Sequence, residues 1–294
     1  MKFEIVTDSS ANLPQKLIEE NELHVLSLSY FIEDEEFSSY VPGQMNDLSY
    51  LYEKMRNKAN IRTSLVNVDK ATVEIEEILK EGKDILYIGF SSGLSGTFQS
   101  VSIAASELQE MYPKSKVYCL DSLCASMGEG LLVYYACKLR KEGKSLNETI
   151  KWLEDNKMKV CHWVTVDDLF YLKRGGRIST AAAVFGSALS IKPVIFVDNE
   201  GHLQVFDKAR GRKKALNELI SHMKESVVNP KEQVFAIAHA DCYEDAMYMK
   251  EKMSELEPLD IIVESMEPVV AAHTGPGCMA IFYLGDERVK KIEK

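Results

Sequence analysis

No apolar run in the 294-residue sequence approaches the ~20 residues that a helix needs to cross a bilayer, which argues against a membrane span. Met1 to Asp8 lack the charged-then-apolar order of a secretion signal and read as a first β-strand, so a cytoplasmic protein is expected. The six cysteines form no C-x-x-C pair and no Cys/His cluster at zinc spacing. No metal site or cofactor is therefore assigned, and free buried thiols in a reducing compartment are the simplest account. Positive charge is scarce: 35 Lys and Arg stand against 45 Asp and Glu, a formal net charge of -10. So acidic a chain is a poor match for a polyanion, which disfavours nucleic acid as a partner. Internal repeats, low-complexity stretches and long linkers are also missing.

The composition, 46% hydrophobic and 27% charged, is that of an ordinary globular protein, and the length suits two domains. In the first half, short apolar runs (Phe3–Val6, Val25–Leu28, Ile85–Ile88, Val117–Leu120) alternate with helical repeats. One is Val68, Ala71, Ile75, Ile78 and Leu79, with Asn67 as its N-cap. Apolar strands alternating with amphipathic helices predict an α/β fold, a Rossmann-like parallel sheet over residues 1–160. The second half is less regular. Strand signals at 160–166, 191–197, 203–206, 234–238, 261–263 and 279–284 surround two helical segments, and Asp198-Asn199-Glu200-Gly201 reads as a hairpin turn. An α+β domain with a mixed sheet is expected over 161–294, with a ligand cleft between the two domains.

Gly89-Phe90-Ser91-Ser92-Gly93-Leu94-Ser95-Gly96-Thr97 follows a predicted strand and opens a predicted helix. Ligands of open parallel sheets bind at the carboxyl ends of strands. Here glycines, hydroxyls and the free N–H groups of a helix start form a cradle for a small anion. A plain capped turn is the simpler account, but three serines, a threonine and three glycines exceed what a cap needs. The loop lacks the lysine of a nucleotide phosphate loop and the G-x-G-x-x-G spacing of a dinucleotide site, so a carboxylate fits better. Gly89 to Gly93 also match G-x-S-x-G, the nucleophile elbow, and Asp198 and His273 follow in the chain order of a hydrolase triad. That gives an alternative reading as a serine esterase using Ser91 and His273. Against it, few strands precede Ser91.

Ile61-Arg62-Thr63-Ser64 reads as a hydroxyl-bearing turn before a helix. It matters only if it faces Ser95. His273, among small residues and before Gly275-Pro276-Gly277, is suited to hydrogen-bonding a carboxylate or to titrating near neutral pH, or simply to holding the turn. Two basic clusters, around Arg174 and Arg177 and around Arg210, each precede a predicted helix, the first of them alanine-rich. They are solvated loops or docking patches for an acidic partner.

These motifs together resemble the DegV family of bacterial fatty-acid-binding proteins. The resemblance runs from Thr7-Asp8-Ser9-Ser10 through Thr63-Ser64, Ser91 to Thr97 and Gly175-Gly176-Arg177-Ile178-Ser179 to Ala271 to Gly277. It implies a two-domain fold with one long-chain fatty acid in a tunnel between the domains, and a carrier rather than an enzyme. It further implies that Thr63 and Ser95, with Gly96, Thr97 and His273 nearby, hold the carboxylate. Arg210 would lie toward the headgroup end and in kinase docking. The implied partner is a fatty acid kinase that phosphorylates the presented carboxylate for phospholipid synthesis; transient contact with a membrane surface is compatible with this. One departure stands out: the family has Gln-Pro after Thr-Ser, where this chain has Leu65-Val66-Asn67. A third reading, an interaction protein with a purely structural lipid, makes no use of the kinase.

Overall fold

A computed structural model describes residues 3–44, 47–179 and 190–288. Strand β1 (Glu4–Asp8) is fully buried and pairs in parallel with β2 (His24–Leu26) on one side and β6 (Ile85–Gly89) on the other. β7 (Val117–Asp121) completes a four-stranded parallel sheet of order β2-β1-β6-β7. Helices α1 (Gln15–Glu20), α3 (Val68–Lys80), α4 (Thr97–Met111), α5 (Met127–Lys141) and α6 (Leu146–Asn156) accompany it. Asn67 caps α3 as its side chain predicts, accepting from the Lys70 N–H. This is the α/β arrangement read from the sequence.

The second sheet has six strands in the order β10-β9-β8-β13-β11-β12. They are β8 (Val160–Thr165), β9 (Ile191–Val197), β10 (Leu203–Arg210), β11 (Val234–His239), β12 (Asp260–Ser265) and β13 (Met279–Leu284). β11 and β12 run parallel and the other pairs antiparallel, so the sheet is mixed as expected. Helices α7 (Phe170–Arg174), α8 (Arg212–Ser226), α9 (Tyr243–Ser254) and α10 (Pro268–Thr274) belong to this half. The alanine-rich helix expected after Ser179 lies outside the described residues. Among the described residues, no helix is long and apolar enough to cross a membrane.

One element was not foreseen. β3 (Ser29–Ile32), β4 (Glu35–Ser38) and β5 (Ile61–Ser64) form a small antiparallel sheet of order β4-β3-β5. Ile61 to Ser64, expected as a turn, is thus a strand whose Thr63 sits opposite Tyr30. The hydrogen bonds of β3 hold it extended where its polar side chains suggested a turn. α2 (Leu48–Arg56) buries Leu51, Tyr52 and Met55.

The core continues across the junction between the two larger sheets. One buried cluster joins Val6, Leu131 and Tyr87 from the first half to Val164, Ala238 and Phe282 from the second. Polar stitching reinforces it. Asn12 donates from Nδ2 to the Ser265 carbonyl (2.9 Å), and its Oδ1 accepts the Glu267 N–H (2.6 Å).

Candidate functional site

A cavity of about 190 Å³ lies at this junction. Its walls come from the loop after β6, from β5, β8, β13, α10 and the turn after α7. Most of its surface is apolar: Leu28, Phe90, Val164, Val269, Ala280 and Phe282 are among the side chains that form it. Polar groups gather where Thr63, Ser95, Arg177 and His273 converge. Among the described residues lining the cavity, Arg177 is the one ionised side chain, and no carboxylate faces it.

Each of these groups is placed by local sequence. Ser95 closes a tight turn: the Thr97 N–H donates to its Oγ (3.2 Å), and the two hydroxyls are 3.0 Å apart. Thr97, expected near the headgroup, is itself buried and does not line the cavity; its hydroxyl meets that of Ser95. Gly96 does line it, and a β-carbon there would crowd Leu65 Cδ2 at 3.1 Å. Leu65, where the family pattern departs, therefore packs onto the loop and stays part of the cavity mouth.

Thr63 Oγ1 lies 2.8 Å from His273 Nε2, across 210 positions of sequence. Burial, with the charges of Arg177 and Arg174, pushes the His273 pKa down to about 4. The ring is therefore neutral at physiological pH and does not titrate near neutrality, which corrects one expectation. With Nε2 protonated it donates to Thr63 and leaves the threonine proton free for an anion.

The Gly175-Gly176-Arg177 segment has a separate reason for each residue. Gly176, at φ +73°, ends α7: its N–H bonds the Lys173 carbonyl and the Arg177 N–H bonds that of Leu172. This is a left-handed C-cap that favours glycine. Gly175 has an ordinary helical φ of -72°, but a β-carbon there would collide with His273 Nδ1. The reversal turns Arg177 inward, where Nε donates to the Leu94 carbonyl (3.1 Å) and Nη1 to that of Gly175. Arg177, expected as a docking residue, thus belongs to the cavity. Arg174 stays exposed over the Phe170 and Tyr171 rings (6.0 and 5.3 Å). With Arg62, Thr63, Arg177 and His273 it borders a shallow outer depression on the far side of the polar cluster. Arg210 is exposed at the end of β10 and lines neither.

Replacing Gly175 by alanine tests the packing on His273 without straining the backbone. Loss of the Thr63–His273 contact should weaken binding of a carboxylate probe at the polar cluster about fivefold, roughly the worth of one neutral hydrogen bond, with an unchanged circular dichroism spectrum. Binding at the parental level would show that the ring position is immaterial.

The structure does not assemble the esterase. Ser91 is fully buried, donates to the Gly201 carbonyl (2.8 Å) and accepts the Gly93 N–H (3.2 Å). Asp198 caps its own hairpin by accepting from Glu200 and His202, and His273 is engaged with Thr63. Among the described residues no group of three His, Cys, Asp or Glu is arranged for a metal.

Sequence reasoning missed His162. Its Nδ1 lies 3.1 Å from the Val160 carbonyl and its Nε2 accepts the Ala125 N–H (3.2 Å), which fixes the proton on Nδ1. Burial drives its pKa far down, so it contributes a neutral ring to the wall. Only its strand position, facing inward on β8, could have signalled it.

Comparison with known proteins gives one family. A model described as uncharacterised protein, DegV family, matches residues 2–286. A DegV domain-containing protein from Clostridium perfringens is 43% identical over 288 residues, 98% of this chain and 99% of its own. A solved structure reporting fatty acid binding of a DegV family protein from Thermus thermophilus superposes with a TM-score of 0.88 at 28% identity, covering 97% of this chain and 100% of that one. DegV, a fatty acid binding protein from Bacillus subtilis, does so at 0.83 and 30%, over 97% of this chain and 100% of its own.

Proposed function

The chain belongs to the DegV family, and from that premise we propose that it binds one long-chain fatty acid, tail in the apolar cavity and carboxylate at Thr63, Ser95, Arg177 and His273. The observation that carries this is the charge pattern of the cavity: a single cation, Arg177, at the end where two hydroxyls and a neutral histidine also meet, and apolar walls elsewhere. A buried carboxylate needs such partners, and an arginine with hydroxyl donors supplies them.

The energetics favour the tail as the source of affinity. About sixteen carbons at ~0.8 kcal/mol per buried methylene give roughly 10 kcal/mol in gross transfer energy. Association takes back at least ~4 kcal/mol, and the headgroup contacts then set orientation. No nucleophile is required, so we assign no catalytic residue and read the protein as a cytoplasmic carrier, its halves dividing near residue 160. Arg174, exposed beside the polar cluster, and Arg210 are offered as docking points for a fatty acid kinase that receives the carboxylate.

Native mass spectrometry of the purified protein, with identification of the released lipid, tests the reading: one bound fatty acid per chain is expected. An apo protein that takes up no added fatty acid would overturn it. Ser95→Ala should keep the fold and retain fatty acid about tenfold less tightly, the worth of one charge-assisted hydrogen bond. Unaltered retention and unaltered kinase-coupled turnover in that variant would remove Ser95 from the headgroup site.

A further inference from the structure

A second cavity, of about 350 Å³, opens beyond the carboxyl ends of β1 and β2, on the other side of Met266 from the first. Asp8, Glu264 and Glu267 line it, and no lysine, arginine or histidine does so among the described residues. The remaining wall is part amide and hydroxyl, as at Gln15 and Tyr40, and part apolar, as at Leu13, Ile18 and Pro268.

The three carboxyl groups differ. Asp8 is saturated: it accepts from the Ser10 N–H and hydroxyl, the Tyr87 hydroxyl and the Phe90 N–H. Glu267 is 8% exposed, and its Oε2 accepts the Val270 N–H (2.9 Å) while its Oε1 has no hydrogen bond. Glu264, half-buried, has no partner for its carboxyl among the described residues, and burial raises its pKa. An orphaned carboxyl oxygen in a cavity is an unmet demand for a donor.

We propose that this cavity binds a small aliphatic ammonium ion, whose N–H groups bond Glu267 Oε1 and the Glu264 carboxylate while its carbon body lies on Leu13, Ile18 and Pro268. The carboxyl groups exclude an anion. The absence of a metal-ligating trio among the described residues and the apolar share of the wall disfavour a metal ion. Burial holds the Glu267 pKa up at about 8, so the free site keeps a proton at neutral pH. An ammonium ion displaces that proton, and binding carries a protonic signature.

Isothermal titration calorimetry of the full chain with butylammonium chloride, in buffers of different ionisation heat, reads that signature. Saturable one-to-one binding, release of close to one proton at pH 7, and affinity rising about fiftyfold from pH 6 to 8 are expected. Butan-1-ol, with the same carbon body and no charge, should not bind. Glu267→Gln should abolish binding and Glu264→Gln weaken it at least fivefold. Glu264, on the more open side, keeps the test usable if the Glu267 variant misfolds. No saturable heat, equal binding of the alcohol, or full binding by both variants would overturn the proposal. Fatty-acid retention, measured separately, is not a readout here.

Discussion

Arg288→Ala should lower stability by about 3 kcal/mol and the melting temperature by roughly 6–12 °C, although the residue does not line the cavity at Ser95 and His273. The residue is 3% exposed and its guanidinium spends every N–H on buried or partly buried acceptors. Nε donates to the Val160 carbonyl (3.1 Å), and Nη1 to those of Leu123 (2.6 Å) and Asp198 (3.2 Å). Nη2 donates to the Lys157 carbonyl (2.7 Å) and the Cys124 thiol (3.1 Å). These acceptors belong to the loop after β7, the approach to β8 and the β9–β10 turn, which meet at this one side chain. Truncation leaves the Leu123 carbonyl unpaired and takes one donor each from the Val160, Lys157 and Asp198 carbonyls, which keep His162 Nδ1, the Val160 N–H and the Gly201 N–H, where water enters only by loosening the three segments. Lysine, with three donors on a flexible stem, should recover less than half of the loss. Urea denaturation of the parent and both variants measures this. A loss below 1 kcal/mol for alanine would mean that water replaces the guanidinium freely.

The long elements of this fold were legible because their signals are local. α3 repeats its buried positions at helical spacing behind an asparagine cap, and β6 is an unbroken apolar run. The small β4-β3-β5 sheet was not. Its strands have four residues each, and in Ser29 to Ile32 only Tyr30 and Ile32 are buried, too few positions to reveal a period of two. β5 carries Arg62, Thr63 and Ser64 in sequence, which resembles a turn until the pairing with β3 is known.

The site divides the same way. Ser95, Thr63 and His273 stand in short motifs whose residue types match their chemistry, so they could be singled out one by one. That Thr63 and His273 touch depends on the crossing of β5 and α10, which no local pattern encodes. Arg177 was assigned to the surface because charged residues beside glycines usually lie in solvated loops. The left-handed cap at Gly176 reverses the chain and carries it inward. The apolar walls at Ala125, His162 and Phe282 come from segments far apart in sequence, and only packing assembles them.

Glu267→Gln should leave stability unchanged at pH 4 and raise it by about 3 kcal/mol at pH 8, and the pattern follows from a single buried carboxyl. Burial holds its pKa at about 8 against an ordinary 4.5, and the nearby charge of Asp8 adds to the rise. Other groups face it too: Tyr30 is pushed up to about 12 by burial and by Glu267, and Tyr52 is raised in part by the same carboxylate. Glu264 borders the same cavity. Below pH 4.5 Glu267 is protonated in both folded and unfolded chains and contributes no pH dependence. Between 4.5 and 8 the unfolded chain loses the proton while the folded chain keeps it, so stability falls as pH rises. Above 8 both are ionised and the penalty is constant. The full separation, 8 minus 4.5, corresponds to nearly 5 kcal/mol at 1.36 kcal/mol per unit. Water reaching the adjoining cavity screens part of it, which brings the expectation to about 3. Glutamine keeps the acceptor for the Val270 N–H and removes the charge, so the helix that carries His273 remains capped. Glu129, also held up by burial, is not among the charges that raise Glu267 and its contribution cancels in the difference, whereas the Asp8 coupling is part of what the substitution removes. Urea midpoints from pH 4 to 9 give that difference directly. Parallel curves for the two proteins would show that Glu267 ionises in the folded chain as readily as in the unfolded one.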